Sequence, residues 1–395
     1  MVPTAIREVR RAAPRRAGSQ FAVPCWFMRG GTSKGPFFRA DDLPQDSNAR
    51  DSILLAAMGS PDPRQIDGLG GAHPLTSKVG IVGLSRQAGI DLEFRFVQVQ
   101  PDQDIVDTTA NCGNMLAAVV PFAIESGLLE PGADITSARV LTLNTGLVAE
   151  IAIPTPAGED GRYVEYGGDA EIDGVPGTSA AVVISFLDTA GSVCSSMLPT
   201  GNLTDSVEIG GFGPVEVTCI DNGQPLVIID AAALGRTGRE PVVELNADTE
   251  LKARLEALRL SCGELMGLGD VAGKNYPKMT LVSPPAQGGT IGTRSFIPHV
   301  CHESIGVLAA VTVGTAAVLA GTVAHAVAKM PDGGTPTVSV EHPSGEFSVQ
   351  LELDPADPTR VAKSALIRTA RLIMAGDVMI PARQRQPQSS KEQDL

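Results

Sequence analysis

The 395-residue sequence is poor in aromatic side chains, with one Trp, three Tyr and eleven Phe, so its cores must be filled mainly by aliphatic groups. It has no C-x-x-C pair. Its six cysteines stand singly at positions 25, 112, 194, 219, 262 and 301, a spacing that excludes a zinc ligand set and fits the reduced thiols of a cytoplasmic protein. Basic excess is also missing: 31 Lys and Arg face 45 Asp and Glu, and a net charge of −14 argues against a nucleic-acid face. No apolar run is long enough and flanked as a membrane span would be. The nearest, 307–327, is rich in Ala, Gly and Thr and contains His325, so it is expected to cross a protein core. Walker spacing and a dinucleotide glycine fingerprint are absent, and with them the signs of a nucleotide cofactor.

What is present is a long, turn-rich chain. With 43 Gly and 29 Pro and a length beyond that at which a single core stops growing, it predicts two compact α/β domains. The Arg-rich segment 1–20, with Glu8 as its single acid, and the polar segment 383–395 read as loose extensions, the first in preference to a targeting signal. The domains are expected over 21–200 and 201–382, with the final strand shared between the halves.

Along the chain, Pro24–Met28 reads as a strand that turns at Arg29-Gly30-Gly31-Thr32-Ser33-Lys34-Gly35 into a second strand. This turn carries cations and hydroxyls, so Arg29, Thr32 and Ser33 are candidate holders of a carboxylate. A helix is predicted over 51–58, and a flexible loop at Gly68-Leu69-Gly70-Gly71. Strands are predicted at 78–82 and 92–99, so Lys78 stands at a strand entry. Further strands are read at 139–143, 147–153, 180–187 and 278–282, a helix at 251–266, and a long apolar helix at 304–328.

The stretch Asn111-Cys112-Gly113-Asn114 opens an apolar, Ala-rich run, which puts Cys112 at a helix N-terminus. Unpaired N–H groups there favour a thiolate or a bound carboxylate. Gly113 permits close approach of a ligand, and Asn111 and Asn114 offer amides.

An internal repeat is visible. Cys25 with its following strand resembles Cys219 with Leu226–Ile229, the same offset carries Cys112 onto Gly306 at the start of the second apolar helix, and Lys78–Val82 echoes Lys278–Val282.

These motifs carry a resemblance. Arg29–Gly35, Thr76-Ser77-Lys78, Asn111–Asn114, Gly174-Val175-Pro176-Gly177-Thr178, Pro199-Thr200-Gly201-Asn202, His342-Pro343-Ser344-Gly345 and Arg368-Thr369-Ala370-Arg371, in this order, are similar to those of the PrpF family. That family includes 2-methylaconitate cis-trans isomerases, aconitate or methylitaconate Δ-isomerases and 4-oxalomesaconate tautomerases. The resemblance implies two pseudo-symmetric, diaminopimelate epimerase-like domains, each a β-barrel-like sheet around a central helix, with the active site in the cleft between them. It also implies Cys112 and Lys78 as the acid–base pair, Ser33 as a substrate-holding serine, and His302, with Ser304 beside it, at the second helix entry. The second helix has no Cys-Gly-Thr motif, which sets the chain apart from two-thiol epimerases.

The chemistry implied needs no metal or redox cofactor. A proton is removed beside a carboxylate, charge spreads over an allylic system, and a proton returns elsewhere, moving or inverting the double bond. Which of Cys112 and Lys78 is base and which acid is open at this level. The expected substrate is an unsaturated tricarboxylate such as aconitate or 2-methylaconitate, with an oxalomesaconate-type keto–enol tautomerase as the alternative. A non-catalytic carboxylate-binding accessory protein and a serine or cysteine hydrolase are competing classes; no His/Asp constellation accompanies Cys112 to favour the latter. The segments around Arg29, Lys78 and Cys112 lack Asp and Glu, which suits several carboxylates better than an amino acid. The second apolar helix is expected to be buried in its own domain, and a homodimer is compatible with the sequence.

Overall fold

The computed structural model describes residues 16–17, 19–108, 112–187, 189–330, 337–354 and 357–382. Asn111 and the tails 1–15 and 383–395 lie outside the described residues. Within the expected N-terminal extension, Arg16 and Ala17 form a short strand opposite Phe21 and Gln20. The chain divides into two compact units: unit 1 comprises Met1–Asp169, Ser179–Ala181 and Arg368–Leu395, and unit 2 comprises Ala170–Thr178 and Val182–Ile367.

In unit 1, β1 (Gln20–Gly30) and β2 (Ser33–Arg39) form a hairpin with Gly30 opposite Ser33. The two-residue turn takes Gly31 to φ 52°, the left-handed region that such hairpins require. Helix α1 (Ser47–Met58) starts where the Asp46 side chain accepts from Ala49 N–H and stops at Gly59, φ 82°. It is four residues longer at its start than the apolar pattern suggested, because a cap and not hydrophobicity sets that boundary. Next, β3 (Lys78–Leu84) runs parallel to β2 and antiparallel to β4 (Leu92–Val99).

The helix expected after Cys112 is split into α2 (Gly113–Leu116) and α3 (Val119–Glu125). Pro121 has no N–H for the carbonyl of Ala117, so a continuous helix loses a bond there. Val119 to Ala123 are all buried, as befits a helix enclosed by its sheet. Phe122 packs edge-on to Trp26 (centroids 5.4 Å apart) and against Phe37 (5.5 Å), tying α3 to β1 and β2. Strands β5 (Ile135–Thr142) and β6 (Val148–Pro154) follow as a hairpin, β5 parallel to β4.

Unit 2 repeats this order of pairings. After β7 (Asp205–Ile209), β8 (Gly213–Asp221) and β9 (Pro225–Asp230) form a hairpin. Helix α4 (Thr249–Leu265) precedes β10 (Lys278–Ser283), parallel to β9 and antiparallel to β11 (Ile291–Phe296). Then come α5 (Val307–Val318), α6 (Val323–Val327) and the hairpin of β12 (Thr337–His342) with β13 (Gly345–Asp354). The last strand, β14 (Asp357–Pro381), pairs with β13 as far as Leu366 and with β1 from Ala370 onward. The fold class is therefore the expected one: mixed α/β, two like halves, each with strands around a central buried helix.

The single helix predicted over 304–328 is two. Gly321 has φ 97°, and Thr322 Oγ1 donates to Ala316 O and accepts from His325 N–H, ending one helix and capping the next. Arg259, fully buried, donates to the carbonyls of Val271, Lys274 and Tyr276 and pairs with Glu256. It thereby fixes the loop that delivers Lys278 to β10.

Candidate active site

Lys78 opens β3 and Cys112 is the N-cap of α2, with extended backbone at φ −130°, ψ 103°. The two side chains meet: Lys78 Nζ donates to Cys112 Sγ at 3.4 Å. The lysine is only 8% exposed, its ammonium lies 5.6 Å from the Phe96 ring centroid, and no carboxylate pairs with it among the described residues. A nearly buried cation without an acidic partner costs desolvation that a bound anion would offset.

Cys112 is the half-buried thiol of the six; the other five are buried. Burial pushes Cys25 and Cys194 up to about 12 and Cys301 to about 11, so these stay protonated and inert at neutral pH. Cys219 is raised as well, by its hydrogen bond with Cys262 and by burial.

The β1–β2 turn packs on the first turn of α2. A Cβ at Gly30 would overlap Asn114 O, and one at Gly31 would overlap Asn114 Oδ1. Asn114 Nδ2 donates to Thr32 Oγ1 at 2.9 Å, leaving the Thr32 hydroxyl proton free to reach a ligand. Ser33 is 1% exposed and, among the described residues, its Oγ has no hydrogen-bond partner, a polar atom that a bound oxygen would satisfy.

Arg29, expected as a holder of a carboxylate, also has partners within the protein. Its Nη1 donates to Gly31 O and to the carbonyl and hydroxyl of Thr369, and its Nη2 reaches Ser179 Oγ at 3.5 Å. These bonds brace the turn against β14. Burial, and after it the neighbouring Arg371, lower its pKa.

Arg29, Thr32, Ser33, Lys78, Cys112, Gly113 and Asn114 all belong to unit 1, and His302 and Ser304 belong to unit 2. There, Ser304 N–H donates to His302 Nδ1 at 2.8 Å, and Ser304 Oγ lies 3.4 Å from His342 Nε2. The unit 2 counterpart of Cys112 is Gly306, the N-cap of α5. A Cβ there would stand 3.8 Å from Lys278 Nζ, so the second half keeps the lysine of the pair but has no thiol at this position. Burial lowers the Lys278 pKa.

Phe96 and Thr369 escaped the sequence reading as parts of this site. Phe96 belongs to the alternating pattern of β4 and reads as core, and the Arg29–Thr369 contact joins the two ends of the chain.

The family description "PrpF protein" matches residues 20–381. The chain is 52% identical over 367 residues to the (4E)-oxalomesaconate Delta-isomerase of a Novosphingobium species, covering 93% of this chain and 100% of that one. It is 51% identical to the 4-oxalomesaconate tautomerase of Pseudomonas putida, over 91% of this chain and 97% of that one. The crystal structure of methylitaconate-delta-isomerase superposes with a TM-score of 0.79 at 34% identity, covering 92% of this chain and 97% of the other. A family match spanning nearly the whole chain, with similarity at this level across its full relatives, establishes that the chain belongs to the PrpF family.

Proposed function

We propose that this protein is a cofactor-independent isomerase that moves a proton and a double bond in an unsaturated tricarboxylate of the oxalomesaconate kind. The 3.4 Å contact between Lys78 Nζ and Cys112 Sγ carries the reading, because it sets two proton-transferring groups side by side. One takes a proton from a carbon beside a carboxylate or carbonyl, and the electron pair spreads over the allylic system. The other returns a proton at its far end, so one C–H bond breaks, one forms and the double bond shifts. Ser33 Oγ, Thr32 Oγ1, the backbone at Gly113 and the Asn114 amide hold the substrate's oxygens as they gain charge. His302 and Ser304 remain candidate substrate-binding residues on the resemblance alone.

The choice of substrate departs in emphasis from aconitate. The relatives at 52% and 51% identity are both named for oxalomesaconate, whereas the methylitaconate enzyme is 34% identical. The test is solvent exchange in deuterated water after treatment with a chelator and without nucleotide. Deuterium is expected to enter 4-oxalomesaconate fastest, more slowly cis-aconitate or 2-methylaconitate, and not diaminopimelate or proline. Exchange confined to the amino acids would overturn the assignment.

A further inference from the structure

The loop between α1 and β3 is glycine-rich, and sequence pattern alone makes it flexible. In the structure it is wound around one buried amide. Gln65 is 1% exposed and has φ 48°, a left-handed conformation that side-chain-bearing residues seldom adopt. Both lone pairs of its Oε1 are used: it accepts from Ala72 N–H at 2.9 Å and from Ser77 Oγ at 2.7 Å. The Ala72 N–H can only donate, which fixes the amide's orientation. Its Nε2 donates to Ser60 Oγ at 3.1 Å, and Ser60 Oγ donates to Gln100 O at 2.9 Å. Gly70 lies so close that a Cβ there would overlap the amide.

Ser77 is the residue before Lys78. Its carbonyl accepts from Val99 N–H and Gln98 Nε2, both at 3.0 Å, so its backbone is pinned to β4 while its side chain is pinned to Gln65. A satisfied buried network of this kind admits one arrangement and penalises departures from it. Strained backbone held by such over-determination is characteristic of functional sites.

From this geometry we infer that Gln65 is a positioning residue for Lys78: acting through Ser77, it sets where the lysine enters β3 and hence where its ammonium stands relative to Cys112 Sγ. The inference rests on the acid–base role proposed for the Lys78–Cys112 pair. Neither Gln65 nor Ser77 touches the sulfur. Their effect is on placement, and a displacement of about 1 Å in a reacting group lowers a rate about a hundredfold.

Two readouts separate placement from simple stability. One is kcat and KM with 4-oxalomesaconate. The other is the rate at which iodoacetamide alkylates Cys112, measured by mass spectrometry on the folded protein, since the 3.4 Å contact makes the sulfur's reactivity depend on where the lysine stands. Gln65→Leu is expected to lower kcat about a hundredfold with KM within about threefold, and to slow Cys112 alkylation in parallel. Gln65→Glu preserves the two acceptor contacts and should restore most of both. Ser77→Ala removes only the link to Lys78; should Gln65→Leu fail to fold, a joint fall of kcat and alkylation rate in Ser77→Ala supports the inference, and unchanged values overturn it. In a Lys78→Ala background, Gln65→Leu should slow alkylation no further. If Lys78→Ala itself turns over normally, the acid–base reading fails. If Lys78→Ala is inactive while folded Gln65→Leu keeps a normal kcat and alkylation rate, the positioning inference alone fails.

Discussion

Replacing Cys112 by serine, or Lys78 by alanine, is expected to remove turnover while leaving a folded protein. Each loss should be about 10²- to 10⁴-fold in kcat, the range associated with removing one general acid or base. Both side chains stand at the entry of an element and neither fills a core: Cys112 caps a helix of four residues, and Lys78 begins β3 with its ammonium directed at the sulfur. The double variant should be little worse than either single one, because groups that act as a unit are not additive. Proton exchange into substrate distinguishes the two roles, since the variant lacking the base loses exchange along with isomerisation, and the variant lacking the acid retains some exchange. A kcat near normal in either single variant would sink the assignment.

The second large effect is on stability. Gly35, in β2, lies against the backbone of Lys78, and a Cβ at this position would overlap the Lys78 carbonyl oxygen. Neither partner has a flexible end that can yield, because Lys34 N–H is bonded to Leu75 O at 3.1 Å and β3 is paired on both edges. Gly35→Ala is therefore expected to cost about 3 kcal/mol or more, at or beyond the upper end for overpacking. The control is Gly132→Ala, whose added methyl meets nothing within 4 Å and should change stability by less than about 0.5 kcal/mol. Denaturant midpoints of the two variants decide it: equal midpoints would mean that the strands separate without penalty. Whatever folded Gly35→Ala survives should also have a displaced Lys78 and a low kcat.

Much of this was legible in the residues because it is local. The strand at 92–99 follows from strict alternation, and the position of Cys112 from the switch out of polar sequence into an apolar run. Lys78 at a strand entry and the doubled order of motifs were equally plain. What was hidden lies in individual side-chain and backbone contacts, some near in the chain and some far, that periodicity does not display. The breaks in the two central helices come from Pro121 and from Thr322, and the second of these uses a hydroxyl bonding back to Ala316, which no periodicity displays. Arg29 reads as an anion holder from its cationic, hydroxyl-rich turn, yet the acceptors that engage it sit on Thr369, at the other end of the sequence. Glycines at 68, 70 and 71 suggested slack, whereas two of the three are there because Gln65 and Thr76 fill the space a Cβ would need.

A base that inverts a tetrahedral carbon must be answered by an acid on the opposite face of the planar intermediate. Here the lysine and the thiol touch. Two groups in mutual contact would address a flat dienolate from one side. If this pair makes both proton transfers, as proposed, the transposition is expected to be suprafacial: the hydrogen that leaves one carbon and the hydrogen that arrives at the other occupy the same face. A substrate carrying deuterium at one of two prochiral positions would lose or keep its label according to that position alone, and a product centre formed in labelled water would have a single handedness.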